Sequence, residues 1–163
     1  MRSLVLKLGL IALFFLFYLF ILRPSRVVFS DHVLNPVFDH TKSVTVENDI
    51  QVFQNTSGVG LLVLRNGDIM YFKMPFGVNA LITVCAFILI GSGKTQWFTL
   101  ISIQIVGWLL ALGFLLLAMY LSSSFLTITD LLMRYLIPVC TLGLVPLSLL
   151  QKKWTTQRNE ETI

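Results

Sequence analysis

The chain has 163 residues, 56% of them hydrophobic and only 12% charged, with a mean hydropathy of +0.83. That balance excludes an ordinary soluble domain and places the protein in a bilayer. Its 12 basic residues outnumber the 8 acidic ones, but they are scattered or sit beside apolar runs, which suits the flanks of membrane spans rather than nucleic acid.

The first apolar run, "LGLIALFFLFYLFIL", covers Leu8 to Leu22. It extends to Leu4 if Lys7 reaches back to the headgroups, which gives the roughly 20 residues a spanning helix needs. A basic start and an apolar middle also describe a secretory signal. The following "RPSRVVFS" has no small-x-small cleavage pattern, so residues 1–23 read as a retained anchor.

Residues 24–74 form a polar segment, expected outside the cytoplasm. Its first part carries Pro24 and Pro36 without a sustained period, and it reads as loop with at most a short interfacial helix. Two Asp-His pairs occur here, Asp31-His32 and Asp39-His40. Their spacing of eight is not an i, i+4 ligand spacing, so solvated loop residues are the simpler account, with His32 and His40 kept as candidate binding groups. Further on, apolar and polar residues alternate over Val44–Glu47 and Ile50–Val52. Asn66-Gly67 then separates two strand-like runs, and Asn-Gly supplies the positive φ angles of a type I′ turn. A β-hairpin pairing about Leu61–Arg65 with Asp68–Phe72 is therefore expected, with Asn66 and Gly67 in a structural role.

Three more apolar runs follow, at Phe76–Ile90, Phe98–Leu121 and about Leu131–Leu150. The first of these is short, and "YFKM" with Pro75 on its amino side would lengthen it if Lys73 snorkels. Pro138 and Pro146 predict a kinked last helix. The expected fold is mainly α: four transmembrane helices with a small extracytoplasmic β-hairpin element. Residues 75–150 form a three-helix bundle and residues 151–163 a cytoplasmic tail. Lys94, Lys152, Lys153 and the first residues Arg2 and Lys7 lie in short segments, which carry the positive-inside signal best. Both termini are accordingly expected in the cytoplasm, with the protein integral to the inner membrane.

The stretch "ILIGSGKTQWF" ends like a phosphate-binding loop at Gly93-Lys94-Thr95. The full motif needs a glycine at position 88, where Ile88 stands, and a strand-to-helix setting that the surrounding apolar runs do not provide. A tight turn is expected there and no nucleotide. Cys85 and Cys140 sit within apolar runs and suggest neither a disulfide nor a metal site, so no cofactor is expected. Asp130 and Arg134 are ionisable residues near the outer end of the last span, four apart, so their side chains can pair on one helix face. An interfacial ion pair is the simpler account; the alternative is that Arg134 faces a groove between helices and holds an anionic group such as a lipid headgroup or a peptide carboxylate. Asn79 and Gln104 are positioned to bond between helices.

The order of hairpin, short span, basic turn, long span, outer loop and final span resembles the core of the exosortase and archaeosortase membrane transpeptidases. In "NGDIMYFKMPFGVNALITVCAFILI", Gly77 stands in the place of the glycine of that family's Cys-x-Gly. Pro75 occupies the place of the nucleophilic cysteine, Cys85 lies two to three turns deeper, and no histidine follows Arg134. The resemblance thus implies a related core without the thiolate and base that a cysteine peptidase requires. The function it implies is that of a non-catalytic accessory to an envelope protein-sorting or surface-polymer export system, with the lipid bilayer and a membrane protein such as a sorting enzyme as partners. An unrecognised membrane hydrolase or transferase, and a transport-complex subunit, are the alternative readings.

The topology is directly testable at the basic turn. A Ser92→Cys variant is expected to react with a membrane-impermeant thiol reagent from the cytoplasmic side only; labelling from outside inverts the whole arrangement.

Overall fold

The computed structural model describes residues 2–34, 36, 50–54, 60–65, 68–122 and 124–160. The chain opens with α1 (Arg2–Phe17), passes through a wide turn (Tyr18–Leu22) into α2 (Arg23–Phe29), and ends this rod with a second wide turn (Ser30–Leu34). Helix therefore continues through Pro24, where the sequence reads as loop. The wide turn explains how. A proline ring crowds the carbonyl four residues earlier, here that of Phe20 at the centre of the turn, and widening the helix makes room. Within it the Arg23 N–H reaches back five residues to the Tyr18 carbonyl. Each wide turn in the described residues ends two positions before a proline: Tyr18–Leu22 before Pro24, Ser30–Leu34 before Pro36, and Leu132–Leu136 before Pro138.

Three strands follow, β1 (Ile50–Gln54), β2 (Gly60–Arg65) and β3 (Asp68–Lys73), in one antiparallel sheet of that order. Ile50 pairs with Arg65 and Gln54 with Leu61, while Arg65 pairs with Asp68 and Leu61 with Phe72. Asn66 and Gly67 lie outside the described residues, as do Val44–Glu47. Val63 and Met70 are cross-strand partners, and with Phe72 they bury the inner face of the sheet. That face packs on Trp108, Ala111, Leu115 and Met119.

Helix α3 (Val78–Ile90) does not extend back through "YFKM", because Asp68–Lys73 is β3 and Pro75-Phe76-Gly77 intervenes. Its 13 residues reach about 20 Å, less than the roughly 30 Å of a typical hydrocarbon core. Its carboxyl end is closed tightly. Gly91 takes the left-handed conformation at φ 74°, and the N–H groups of Gly91 and Ser92 both donate to the Phe87 carbonyl, at 2.9 and 3.1 Å. Two lysines from other helices hold the last carbonyls: Lys7 Nζ donates to Leu89 O and Lys152 Nζ to Ile90 O, each at 2.7 Å. Both positive charges also oppose the negative end of the helix dipole.

After the turn, α4 (Lys94–Tyr120) runs 27 residues. Helix α5 (Ser124–Leu131) leads through the wide turn Leu132–Leu136 into α6 (Ile137–Glu160). Among the described residues three stretches are long and apolar enough to cross a membrane, Leu4–Phe29, Lys94–Tyr120 and Ser124–Trp154. The protein is thus mainly helical and built for a membrane. Helix α3 lies between α1 and α6, and α6 packs in turn on α4.

Helices α4 and α6 meet tightly at Gly107. A Cβ there would stand 2.9 Å from Ile137 Cγ1, so a larger residue would force the Ile137 side chain to shift. Gly107→Ala is expected to lower stability by about 1–3 kcal/mol in detergent unfolding, whereas Gly143→Ala, with open space around its Cβ, should leave it unchanged. Equal behaviour of the two variants would contradict this packing.

Candidate functional site

The β3–α3 connection is held in an unfavourable backbone conformation by a buried amide. Phe76 has φ 58°, a left-handed value that a bulky residue rarely adopts. Its N–H donates to Gln104 Oε1 at 2.9 Å. Gln104 is buried, and its Nε2 donates to Thr141 Oγ1 at 2.7 Å. The Thr141 hydroxyl donates to the Ile137 carbonyl at 2.7 Å. Thr83 on α3 directs its hydroxyl to the carbonyls of Asn79 and Thr141, at 3.0 and 3.1 Å. One polar chain thereby joins α3, α4, α6 and the connection, each link worth more for being away from water.

Above this chain lies a cavity of about 730 Å³, walled by the wide turn Tyr18–Leu22, α2, the end of β3, Met74, Pro75 and Gly77 of the connection, the first residues of α3, α4, Asp130 of α5 and the wide turn before α6. Arg26 enters it from α2. This side chain is 9% exposed, and it donates from Nη2 to Met74 O at 2.9 Å and from Nη1 to Tyr18 Oη at 3.3 Å. Its Nε is buried without a hydrogen-bond partner. Trp108, at 8% exposed, also lines the cavity and also has an unpartnered indole N–H. Buried donors of this kind are rarely left unsatisfied, and both require an acceptor.

The amino end of α3 adds more donors. Gly77 is its N-cap and provides no side-chain cap, while Gly77, Val78, Asn79 and Ala80 all line the cavity. The first N–H groups of any helix have no partner within it, and they carry the positive end of its dipole. Arg26 stands beside them, its Nη2 3.8 Å from where a Cβ on Gly77 would lie. Around the rim are the exposed cations Arg23, Lys73 and Arg134, opposed among the described residues by a single carboxylate, Asp130. Arg134 Nη2 meets Asp130 Oδ1 at 3.4 Å, with 55% and 33% of the side chains exposed, so Arg134 stays largely open to solvent or ligand while Asp130 is mostly covered.

Asp130 and Arg134 pair as their helical spacing suggests, and Asn79 and Gln104 line the same cavity from two other helices. His32 is exposed on the second wide turn, with Nδ1 3.0 Å from the Val28 carbonyl, and it does not line the cavity. His40, Asn66 and Gly67 lie outside the described residues. Cys85 and Cys140 are free thiols away from the cavity lining. No metal-holding group of His, Cys, Asp or Glu occurs among the described residues. The Gly91–Gly93 turn serves to cap helices, with the Gly93 N–H donating to Gln96 Oε1 at 2.8 Å. Arg26, Tyr18 and Trp108 were not legible as site residues. Tyr18 and Arg26 are eight residues apart, about two helical turns, a relation that appears only once the helix continues past Pro24.

No family model, curated protein or solved structure matches the chain, so the arrangement of these side chains carries the functional argument.

Proposed function

We propose that this protein is a non-catalytic integral membrane accessory of an envelope protein-sorting or surface-polymer export system. It crosses the inner membrane four times, with α3 as the short span and both termini in the cytoplasm. Bilayer thinning or tilt around α3 accommodates its length, at a modest cost per ångström of mismatch. Two belts of charge support this placement. Lys7, Lys94 and Lys152 mark the cytoplasmic level, while Arg23, Lys73, Asp130 and Arg134 mark the outer one.

The observation that carries the non-catalytic reading is Pro75. It lines the cavity at the place where the resemblance puts a nucleophilic cysteine, among groups that donate hydrogen bonds and attract anions. Such a site binds; it has no thiolate and base to attack with. The β2–β3 hairpin outside the membrane then serves contact with a membrane protein partner such as a sorting enzyme. Strand β3 lies against α5, which leaves β1 as the open edge of the described sheet. An open edge is a template for a partner strand.

In-membrane cross-linking of the full chain, read by mass spectrometry, tests this. A sorting or export protein of the envelope is the expected partner, lost on replacing Val52 by Pro on β1 and retained in His32→Ala. Peptide or polymer cleavage by the purified chain alone, abolished in His32→Ala, would overturn the accessory role.

A further inference from the structure

We infer that the cavity at the start of α3 holds the phosphate group of an anionic lipid, a phosphomonoester whose acyl chains remain in the bilayer. The inference rests on the membrane-embedded reading above and supplies the ligand for its outer site.

The donors define the ligand. Arg26 Nε and the Trp108 indole N–H are buried and unpartnered, both in side chains that line the cavity. The uncapped amino end of α3 points the same way, and a helix amino end with free N–H groups is suited to phosphate. The residues that carry these donors line the cavity from three elements, α2, α3 and α4, with Arg134 and Lys73 at the rim. A carboxylate is planar, carries one charge and is matched by a single guanidinium fork. A phosphate presents three acceptor oxygens and up to two charges, which fits donors carried by several elements and, among the described lining residues, an excess of cations over the one acid, Asp130.

The lipid character follows from what adjoins the site. The cavity volume of about 730 Å³ lies within the roughly 300–1,000 Å³ usual for small-molecule sites, larger than a bare anion needs. From its rim an apolar surface runs down α3 through Val78 and Ile82, 62% and 52% exposed and one turn apart. Leu136 and Val139 expose a similar surface beside the wide turn before α6. Acyl chains placed there would cover side chains that otherwise face the bilayer, while the headgroup would meet the Arg26 guanidinium, the amino end of α3 and the cations of the rim.

Trp108 reports binding. In full-length protein carrying Trp97→Phe and Trp154→Phe, it is the sole tryptophan of the three in the sequence. The protein, in phosphatidylcholine nanodiscs, is titrated with short-chain phosphatidic acid, with the matching diacylglycerol and with inorganic phosphate. A saturable change in Trp108 emission is expected with phosphatidic acid, weakened about tenfold in Arg134→Gln and in Lys73→Gln, since each removes a charge-assisted contact. Both side chains are exposed, so these variants should fold, and Arg26→Gln is expected to weaken binding further. An equal response to diacylglycerol, unchanged affinity in Arg134→Gln and Lys73→Gln, or saturation by inorganic phosphate at the same concentration would overturn the proposal. A peptide with a free carboxyl terminus that displaces the lipid at equal concentration would do so too. Lost lipid binding with intact partner cross-linking overturns the ligand alone; the reverse result overturns the accessory role alone.

Discussion

The side chain of Gln104 is the joint on which the upper half of this molecule depends. It accepts from Phe76, whose backbone would not hold φ 58° unaided, and donates to Thr141 on α6. The connection from β3 to α3 is thus fixed in place from the opposite helix. Everything that faces the cavity inherits that position: the Met74 carbonyl that receives Arg26, the uncapped amino end of α3, and the turn bearing Arg134. An apolar residue at position 104 would leave the Phe76 N–H and the Thr141 hydroxyl to compete for fewer acceptors and donors in a site with little water.

A second constraint comes from proline. Pro138 lines one wall of the cavity and the wide turn before Pro24 lines another, and each proline stands two residues beyond a wide turn that carries or precedes an arginine of the lining. Widening a helix changes which way later side chains point. On α2 it brings Arg26 back over Tyr18. On the last helix it precedes the close contact of Ile137 with Gly107, which brings α6 against α4 at the level of the cavity. The short α3 fits between these walls because its ends are held from outside: its last carbonyls by Lys7 and Lys152, and its entry by the Gln104 linkage.

What the sequence disclosed, and what it withheld, divides along physical lines. Long apolar runs located α4 and the last helix, because twenty or so apolar residues have few other readings. The Asp130–Arg134 pair followed from helical spacing alone. Gly91 to Gly93 read as a turn because an incomplete phosphate loop between apolar runs has nothing to wrap. The start of α3 was misplaced, since "YFKM" is compatible with either helix or strand, and the contact of Phe72 on β3 with Trp108 decides it. Pro24 suggested a break because a proline normally ends a helix; the compensating wide turn leaves no sequence signal. Arg26 was read only as a charge flanking a span, since its burial depends on a carbonyl 48 residues away. Contacts of that range are what a single sequence does not record.

The most direct test of the account is whether Gln104 and Thr141 act as one unit. A double-mutant cycle with Gln104→Leu and Thr141→Val, read by thermal unfolding of the purified protein in detergent, isolates their mutual term. Coupling of about 1 kcal/mol is expected for a buried hydrogen-bonded pair between membrane helices. Strict additivity of the two substitutions would contradict the claim that this linkage seats the β3–α3 connection and the cavity above it.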